Sequence, residues 1–353
     1  MSLDINEIAR SIELYNLEVE LKKRSSTGHK DLVLTKEPLL RHREEVGKVV
    51  VAFGSYDPLT VGHVSLFQKG LEVLEGRECR RDDSVSGVDS LDELLIVTST
   101  NHIDKKVDLC RNSTISDRLQ AQEGFASSQG NVSLAFANTP YFVELVPLME
   151  AAYGSDVDLY FLVGADVMEK VVDPSVYEKK GYDMEKVLEK LFNHYFIVGD
   201  RQVSYTDGSS RLLDANQIIN ENACLKPYTN RVLPINFELN DYVNLKIPIE
   251  NVSSTLVRSK RSERKPLVEL EAVGISDFVD KRGMYLQDGD QYKSLVALTQ
   301  MYADHFRELG VAPVKYLGKL MRDLERVEHD KKFRTYVVDC YDNEHAPSEL
   351  FDN

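Results

Sequence analysis

Short apolar runs separated by amphipathic segments dominate the middle of the chain. The runs are KVVVAF from Lys48, ELLIVT (93–98), VSLAF (132–136), VDLYFLVG (157–164), YFIVG (195–199) and VNLKIPI (243–249). Most are continuous rather than alternating, which is the pattern of parallel strands buried on both faces. Between them, apolar residues return at helical spacing. Val64, Phe67, Leu71 and Leu74 form one stripe, and ISDRLQAQEGFASS (115–128) and YFVELVPLMEAAYG (141–154) read as helices. Strands alternating with helices predict an α/β fold with a doubly wound, mostly parallel sheet.

The pattern changes at both ends. Residues 1–47 are charged and partly helical at best, with RSSTGHKD (24–31) reading as a flexible joint. Beyond about Leu286 the chain becomes helical and amphipathic through DQYKSLVALTQMYADHFRELG (290–310) and VKYLGKLMRDLERVEHD (314–330). It ends in an acidic tail, DNEHAPSELFDN (342–353), of disordered composition. EKKGYDMEKVLEKLFNH (178–194), helical, and SYTDGSSRLLDANQIINENACLKPYTN (204–230), partly loop-like, read as insertions. The expected organisation is an N-terminal extension, 1–47, an α/β domain, 48–287, and a helical C-terminal extension, 288–353.

Charge narrows the partners. A net charge of -15 argues against general nucleic-acid binding and against a surface that seeks anionic lipid. A locally basic site for a small anion remains open. Cys79, Cys110, Cys224 and Cys340 lack metal-ligand or redox spacing, which points to a reducing compartment. The first residues, MSLDINEIARSIELYNLEVELKKR, do not form a signal peptide, and no run has the length of a membrane span. The N-x-S/T triplets at Asn112, Asn131 and Asn251 are then chance matches. The expected location is cytoplasmic or nuclear, not secreted.

Candidate chemistry begins where the first long run stops. In GSYDPLTVGH (54–63), Gly54 lets the backbone turn and approach a ligand, and Asp57-Pro58 supports a turn. A helix opens near Val61 or Gly62. Thr60 and His63 therefore sit at the carboxyl end of a strand and in the first turn of a helix. Ligands of open α/β sheets bind at that edge, and a helix N-terminus suits phosphate. Spaced i and i+3, a hydroxyl and an imidazole face the same side and can both donate to phosphate oxygens.

GSYDPLTVGH resembles the first signature of the nucleotidyltransferase superfamily that carries H-x-G-H or T-x-x-H. ENVSSTLVRSKR (250–261), with Ser253, Ser254, Thr255 and Arg258, resembles its second phosphate motif, I-S-S-T-x-x-R. YFLVGADVMEKVV (160–172), with Gly164-Ala165-Asp166, resembles the G-A-D of nicotinamide and nicotinate mononucleotide adenylyltransferases. FIVGDR (196–201) and VGISDFVDKRGMYL (273–286) resemble the family's next strand and C-terminal helix. The resemblance spans about Lys48 to Leu286, outside the two insertions. It implies a Rossmann-like nucleotidyltransferase fold and transfer of AMP from Mg2+-ATP to the phosphate of a pyridine mononucleotide, nicotinamide or nicotinate, giving NAD or its deamido form and pyrophosphate, without a dedicated metal site in the protein.

The resemblance also implies roles. His63, Thr60 and Arg258 would be catalytic. Gly54, Ser55, Tyr56, His63, Gly164, Asp166, Ser253, Thr255 and Arg258 would bind ATP. Ser55, Lys105 or Lys106, Arg118, Phe136, Thr139 and Tyr177 would bind the acceptor. Family members commonly stack the pyridine ring on tryptophan. This chain has none, and Phe136 and Tyr177 stand at those positions. The motifs also fit a pantetheine-phosphate adenylyltransferase, or a non-catalytic ATP-binding regulator of the same fold. No G-x-x-x-x-G-K-[ST] is present, and no G-x-G-x-x-G follows a strand, so γ-phosphoryl transfer and a dinucleotide redox cofactor are not expected. The extensions leave room for a homo-oligomer.

Overall fold

Five of the apolar runs form the strands they predict: β2 (Lys48–Gly54), β3 (Glu93–Ser99), β4 (Val132–Ala137), β5 (Asp158–Gly164) and β6 (Tyr195–Gly199). The computed structural model of the chain describes residues 4–36, 48–74, 93–100, 113–127, 129–204, 210–235, 252–267, 275–286, 290–310, 316–343 and 350–351. With β1 (Leu32–Lys36) and β9 (Val232–Ile235), these strands make a seven-stranded sheet ordered β1-β4-β3-β2-β5-β6-β9. Neighbours are parallel except β1, which runs antiparallel to β4. A separate hairpin joins β7 (Arg201–Ser204) to β8 (Ser210–Leu213).

Side-chain alternation explains why these runs are continuous. Val50, Ala52, Leu94, Ile96 and Leu162 point into one core with α2 (Val61–Leu74) and α3 (Ile115–Ser127). Val49, Val51, Leu95, Val97 and Phe161 point into the other, with α4 (Phe142–Tyr153), α5 (Ala165–Val171), α7 (Met184–Leu191) and α8 (Ala215–Glu221). Both faces of the sheet are dry, so each strand is apolar throughout. The doubly wound, mostly parallel α/β sheet is the fold expected.

The structure corrects several expectations around this frame. VNLKIPI (243–249) lies outside the described residues; among the described ones the parallel neighbour of β6 is VLPI, β9, which was not among the expected runs. Its proline sits on a sheet edge, where a missing N–H is tolerated. The stretch 178–194 supplies α7, whose Val187, Leu188 and Leu191 are buried in the main core on the way from β5 to β6. It is thus part of a crossover between parallel strands, with α6 (Pro174–Glu178) before it. The stretch 204–230 holds β8, α8 and a 3-10 turn (Lys226–Arg231) that leads into β9.

The ends are more ordered than their composition suggests. α1 (Ile5–Ser26) is a 22-residue helix capped by Asp4, whose side chain accepts from the Asn6 N–H. Its Leu14 and Leu21 join the sheet core, whereas Ile8 and Ile12 pack into a helical cluster at the other end of the chain. RSSTGHKD is a turn tied down by Asn138, whose side chain accepts from the Asp31 N–H at 2.8 Å and donates to the His29 carbonyl at 3.0 Å. After α9 (Ser254–Ser262) and α10 (Ser276–Arg282), the helical cluster comprises α11 (Asp290–Leu309), α12 (Leu317–His329) and α13 (Lys331–Asp342), the last unforeseen. The tail is docked at Leu350 and Phe351: Leu350 is buried, its carbonyl accepts from Tyr302, and Phe351 stacks on His305 at 3.9 Å. No helix among the described residues is long and apolar enough to cross a membrane.

Candidate functional site

The parallel strands run in the order β4-β3-β2-β5-β6-β9, that is, third, second, first, fourth, fifth, sixth. Strand order therefore reverses between β2 and β5. Connections leave those two strands towards opposite faces of the sheet, and a crevice must open beyond their carboxyl ends. A cleft of about 340 Å³ lies there. Gly54 and Gly164, the last residues of β2 and β5, line it together with Gly62, His63, Asp166, and Ser253 to Thr255.

Both strand-end glycines lie close against neighbouring side chains. A Cβ on Gly54 would lie 3.0 Å from the Tyr56 ring, and one on Gly164 2.7 Å from Asp166 Oδ1. Tyr56 itself takes φ +42, a left-handed conformation uncommon for a ring-bearing residue. Its buried ring meets His63 edge-on at 5.2 Å. The peptide that follows, Asp57-Pro58, is cis.

Thr60 caps α2, and its carbonyl accepts from the His63 and Val64 N–H groups at 2.9 and 3.1 Å. His63 Nδ1 in turn accepts the Thr60 backbone N–H at 3.1 Å, a reciprocal cap in which imidazole replaces the usual glutamate. The Thr60 hydroxyl also meets Nδ1, at 2.9 Å. Thr60 is fully buried and committed to the imidazole, so its hydroxyl does not share the cleft with His63 as expected. It acts on the ring instead. Desolvation, with a smaller contribution from the positive Arg201, lowers the His63 pKa to about 3. A neutral ring whose Nδ1 receives an N–H must carry its proton on Nε2. His63 thus offers the cleft one N–H donor.

The second motif forms the opposite wall. Ser253 is the N-cap of α9, and its Oγ accepts from the Leu256 N–H at 3.1 Å. The Ser254 hydroxyl donates to the Pro58 carbonyl at 2.9 Å. The Ser254 hydroxyl proton is thus spent on structure, whereas Ser253 only accepts and keeps its own proton, next to the main-chain N–H groups that open α9. Arg258 donates to the Asp57 carbonyl, and to Thr255 Oγ1 at 3.2 Å. Thr255 accepts that bond and keeps its own hydroxyl proton for a ligand.

Lys170, Asp200 and Arg201 line the same cleft and were not singled out from the sequence. Arg201 opens β7, with only Asp200 between it and the end of β6, and its guanidinium donates to the Val252 carbonyl at 2.7 Å. Its signal was positional: the arginine of FIVGDR falls at the carboxyl edge of a parallel strand. Phe53, Leu66, Phe67, Leu162 and Val167 supply an apolar wall.

Other expected residues lie elsewhere. Lys105 and Lys106 are outside the described residues. Arg118 is buried behind the cleft, 3.1 Å from Asp57 Oδ2, and donates to the Ser113 carbonyl at 2.8 Å. Phe136 is fully buried in the core shared with α2 and α3. Tyr177 is buried in the opposite core, and desolvation holds its hydroxyl protonated. Thr139 is also fully buried, bonded to Glu144. Neither aromatic ring faces the cleft, because each fills the sheet-facing side of its own layer.

No protein-family model matches the chain, and no curated protein does. Among solved structures, the chain is similar to the nicotinic acid mononucleotide adenylyltransferase of Plasmodium falciparum complexed with NaAD. Identity is 13%, the match covers 67% of this chain and 97% of that one, and the TM-score is 0.43. For the same enzyme complexed with APC, identity is 12%, coverage 68% and 97%, and the TM-score 0.40.

Proposed function

We propose that the chain is an adenylyltransferase that moves AMP from ATP to the phosphate of a pyridine mononucleotide, giving NAD or its deamido form and pyrophosphate. The observation that supports this is the convergence of donors on one cleft. His63, Arg258 and the N-termini of α2 and α9 meet at the switch point of a doubly wound sheet. An oxygen of the acceptor phosphate attacks the α-phosphorus. The bond from that phosphorus to the bridging oxygen breaks, and pyrophosphate leaves with the electron pair. Such a step needs alignment and charge stabilisation more than it needs a covalent enzyme group.

In this reading His63 Nε2–H contacts the α- and β-phosphates. The opening N–H groups of α9, the Thr255 hydroxyl and Arg258 hold the β- and γ-phosphates. Arg201 and Lys170 add positive charge nearby. Magnesium would come with the nucleotide. Asp166 and Asp200 are hard oxygen donors of the kind the ion takes, and phosphates and water would complete its shell. When bound it neutralises charge on the leaving group.

One observation favours another acceptor. Phe136 and Tyr177 are buried in opposite cores, so neither offers a stacking face within the cleft. A pantetheine phosphate as acceptor, or ATP binding without transfer, fits the same phosphate groups. Pyrophosphate release from Mg2+-ATP, with nicotinamide mononucleotide, nicotinate mononucleotide and phosphopantetheine offered separately, tests the reading. Release with a pyridine nucleotide is expected. Release with phosphopantetheine alone would move the acceptor, and ATP binding with no release would refute the transferase.

A further inference from the structure

Asp57 lies behind the cleft and joins parts of the chain that are far apart in sequence. Its carboxylate is buried. Oδ1 accepts from the Ser113 N–H at 3.0 Å, the Ser113 hydroxyl at 2.6 Å and the Tyr285 hydroxyl at 2.8 Å. Oδ2 faces the Arg118 guanidinium at 3.1 Å. The main chain of the same turn points the other way. The Asp57 carbonyl accepts from Arg258, and the Pro58 carbonyl accepts from Ser254 at 2.9 Å. The side chain therefore anchors the turn, and its two carbonyls hold the first turns of α9. A carboxylate with this many donors, one of them charged, has little freedom to move.

Tyr285 is the donor that comes from beyond α10, and it is held under strain. It takes φ +60, rare for a non-glycine residue, and is almost fully buried. Burial and the nearby Asp57 raise its pKa well above the usual value, so the hydroxyl remains a donor. Tyr292, on α11, supplies a comparison. It is equally buried, but its hydroxyl donates to Asp117 Oδ2 at 2.6 Å and accepts the Thr114 N–H at 2.9 Å. None of those bonds goes to Asp57 or Pro58.

We propose that Tyr285 is a positioning residue for the triphosphate. Through Asp57 it fixes the carbonyls that aim Arg258 and the start of α9 at the β- and γ-phosphates. This rests on the nucleotide reading above. It makes the segment that follows α10 part of the phosphate clamp, although it contributes no group to the cleft itself.

The test is calorimetric titration of the full chain with ATP and, separately, with AMP, alongside thermal unfolding. The parent is expected to bind ATP more tightly than AMP. Tyr285→Phe should lose about tenfold in ATP affinity, which is about 1.4 kcal/mol, and leave AMP affinity unchanged. Arg258→Ala should move in the same direction. Tyr292→Phe removes an equally buried hydroxyl and should lower the melting temperature while sparing both affinities. Parental ATP affinity in Tyr285→Phe would overturn the proposal, as would an equal loss for ATP and AMP. Should Tyr285→Phe fail to fold, Ser113→Ala removes another donor, the Ser113 hydroxyl, from the same carboxylate, and the same ATP-selective loss is expected. A parent that binds neither nucleotide would refute the nucleotide reading and the proposal with it. A parent that binds both, with Tyr285→Phe unchanged, refutes the proposal alone.

Discussion

Replacing His63 tests the chemistry most directly. The Thr60 N–H and hydroxyl both lie on Nδ1, at 3.1 and 2.9 Å, so the proton of the neutral ring sits on Nε2. With a pKa lowered to about 3, only about one molecule in 10⁴ carries a second proton at pH 7. The group therefore acts as a fixed N–H donor and not as an acid that titrates near neutrality. Removing one donor aimed at transition-state charge costs roughly 100- to 1000-fold in turnover. His63→Ala should show that loss in pyrophosphate release in a folded protein whose melting temperature is lowered, since the Thr60 N–H and hydroxyl lose their shared acceptor. His63→Gln, which keeps an N–H, should recover about tenfold of it. The pH dependence of kcat/KM sharpens the test, because it reports groups of the free enzyme. A phosphate acceptor has its own ionisation near pH 6, and that limb should appear in parent and His63→Gln alike. A limb near pH 6.5 present only in the parent would refute the neutral-donor assignment. Parental turnover in His63→Ala would refute any catalytic role.

Three further outcomes follow from the site and its surroundings. The unfolded chain protonates His63 below about 6.5, whereas the folded chain holds it neutral down to about 3; the stability it contributes is complete above pH 6.5 and lost as pH falls through that window. Melting temperature measured against pH should fall less steeply between those values in His63→Gln. Gly164→Ala meets no backbone barrier, since φ is -76, but its methyl displaces Asp166 Oδ1. Titration should show weaker ATP binding, with a stability change under about 1 kcal/mol. Leu350→Ala empties a buried contact with the helical cluster and should lower unfolding free energy by about 2 kcal/mol in urea, with ATP affinity unchanged.

The sheet was legible because both of its faces are buried, and a strand buried on both faces must be apolar at every position. That logic fails at the edges. β1 is partly exposed at each residue and reads as charged linker, and β9 is four residues with a proline. α1 escaped notice for a different reason. Its apolar positions serve two partners, Leu14 and Leu21 the sheet core and Ile8 and Ile12 the helical cluster, so no single stripe emerges. At the site, short-range pattern gave the residue types but not their division of labour. Thr60 and Ser253 both read as phosphate ligands, yet the Thr60 hydroxyl is committed to His63, and Ser253 Oγ also accepts the Leu256 N–H as the cap of α9. Asp57 reads as a turn former. Its role as a buried hub depends on Ser113, Arg118 and Tyr285, which only the fold brings to it.

The chain's acidity and its cationic cleft are compatible because the two act over different distances. A net charge of -15 sets the field seen by a long polyanion, which must approach across many surface charges at once. At physiological salt that field decays within about 8 Å. On the proposed reading, a nucleotide inside the cleft would lie within that distance of its walls. There it meets Arg201, Arg258, Lys170 and two helix N-termini against Asp166 and Asp200. The apolar wall that includes Phe53 and Leu162 excludes water and lowers the local dielectric, which strengthens each of those contacts. Neutral His63 fits the same arrangement. Beside a positive Arg201, a second charge on the imidazole would cost energy before any phosphate arrived to offset it. The site can therefore hold its donors ready, uncharged where they are crowded and charged where they are spread, inside a chain whose net charge is negative.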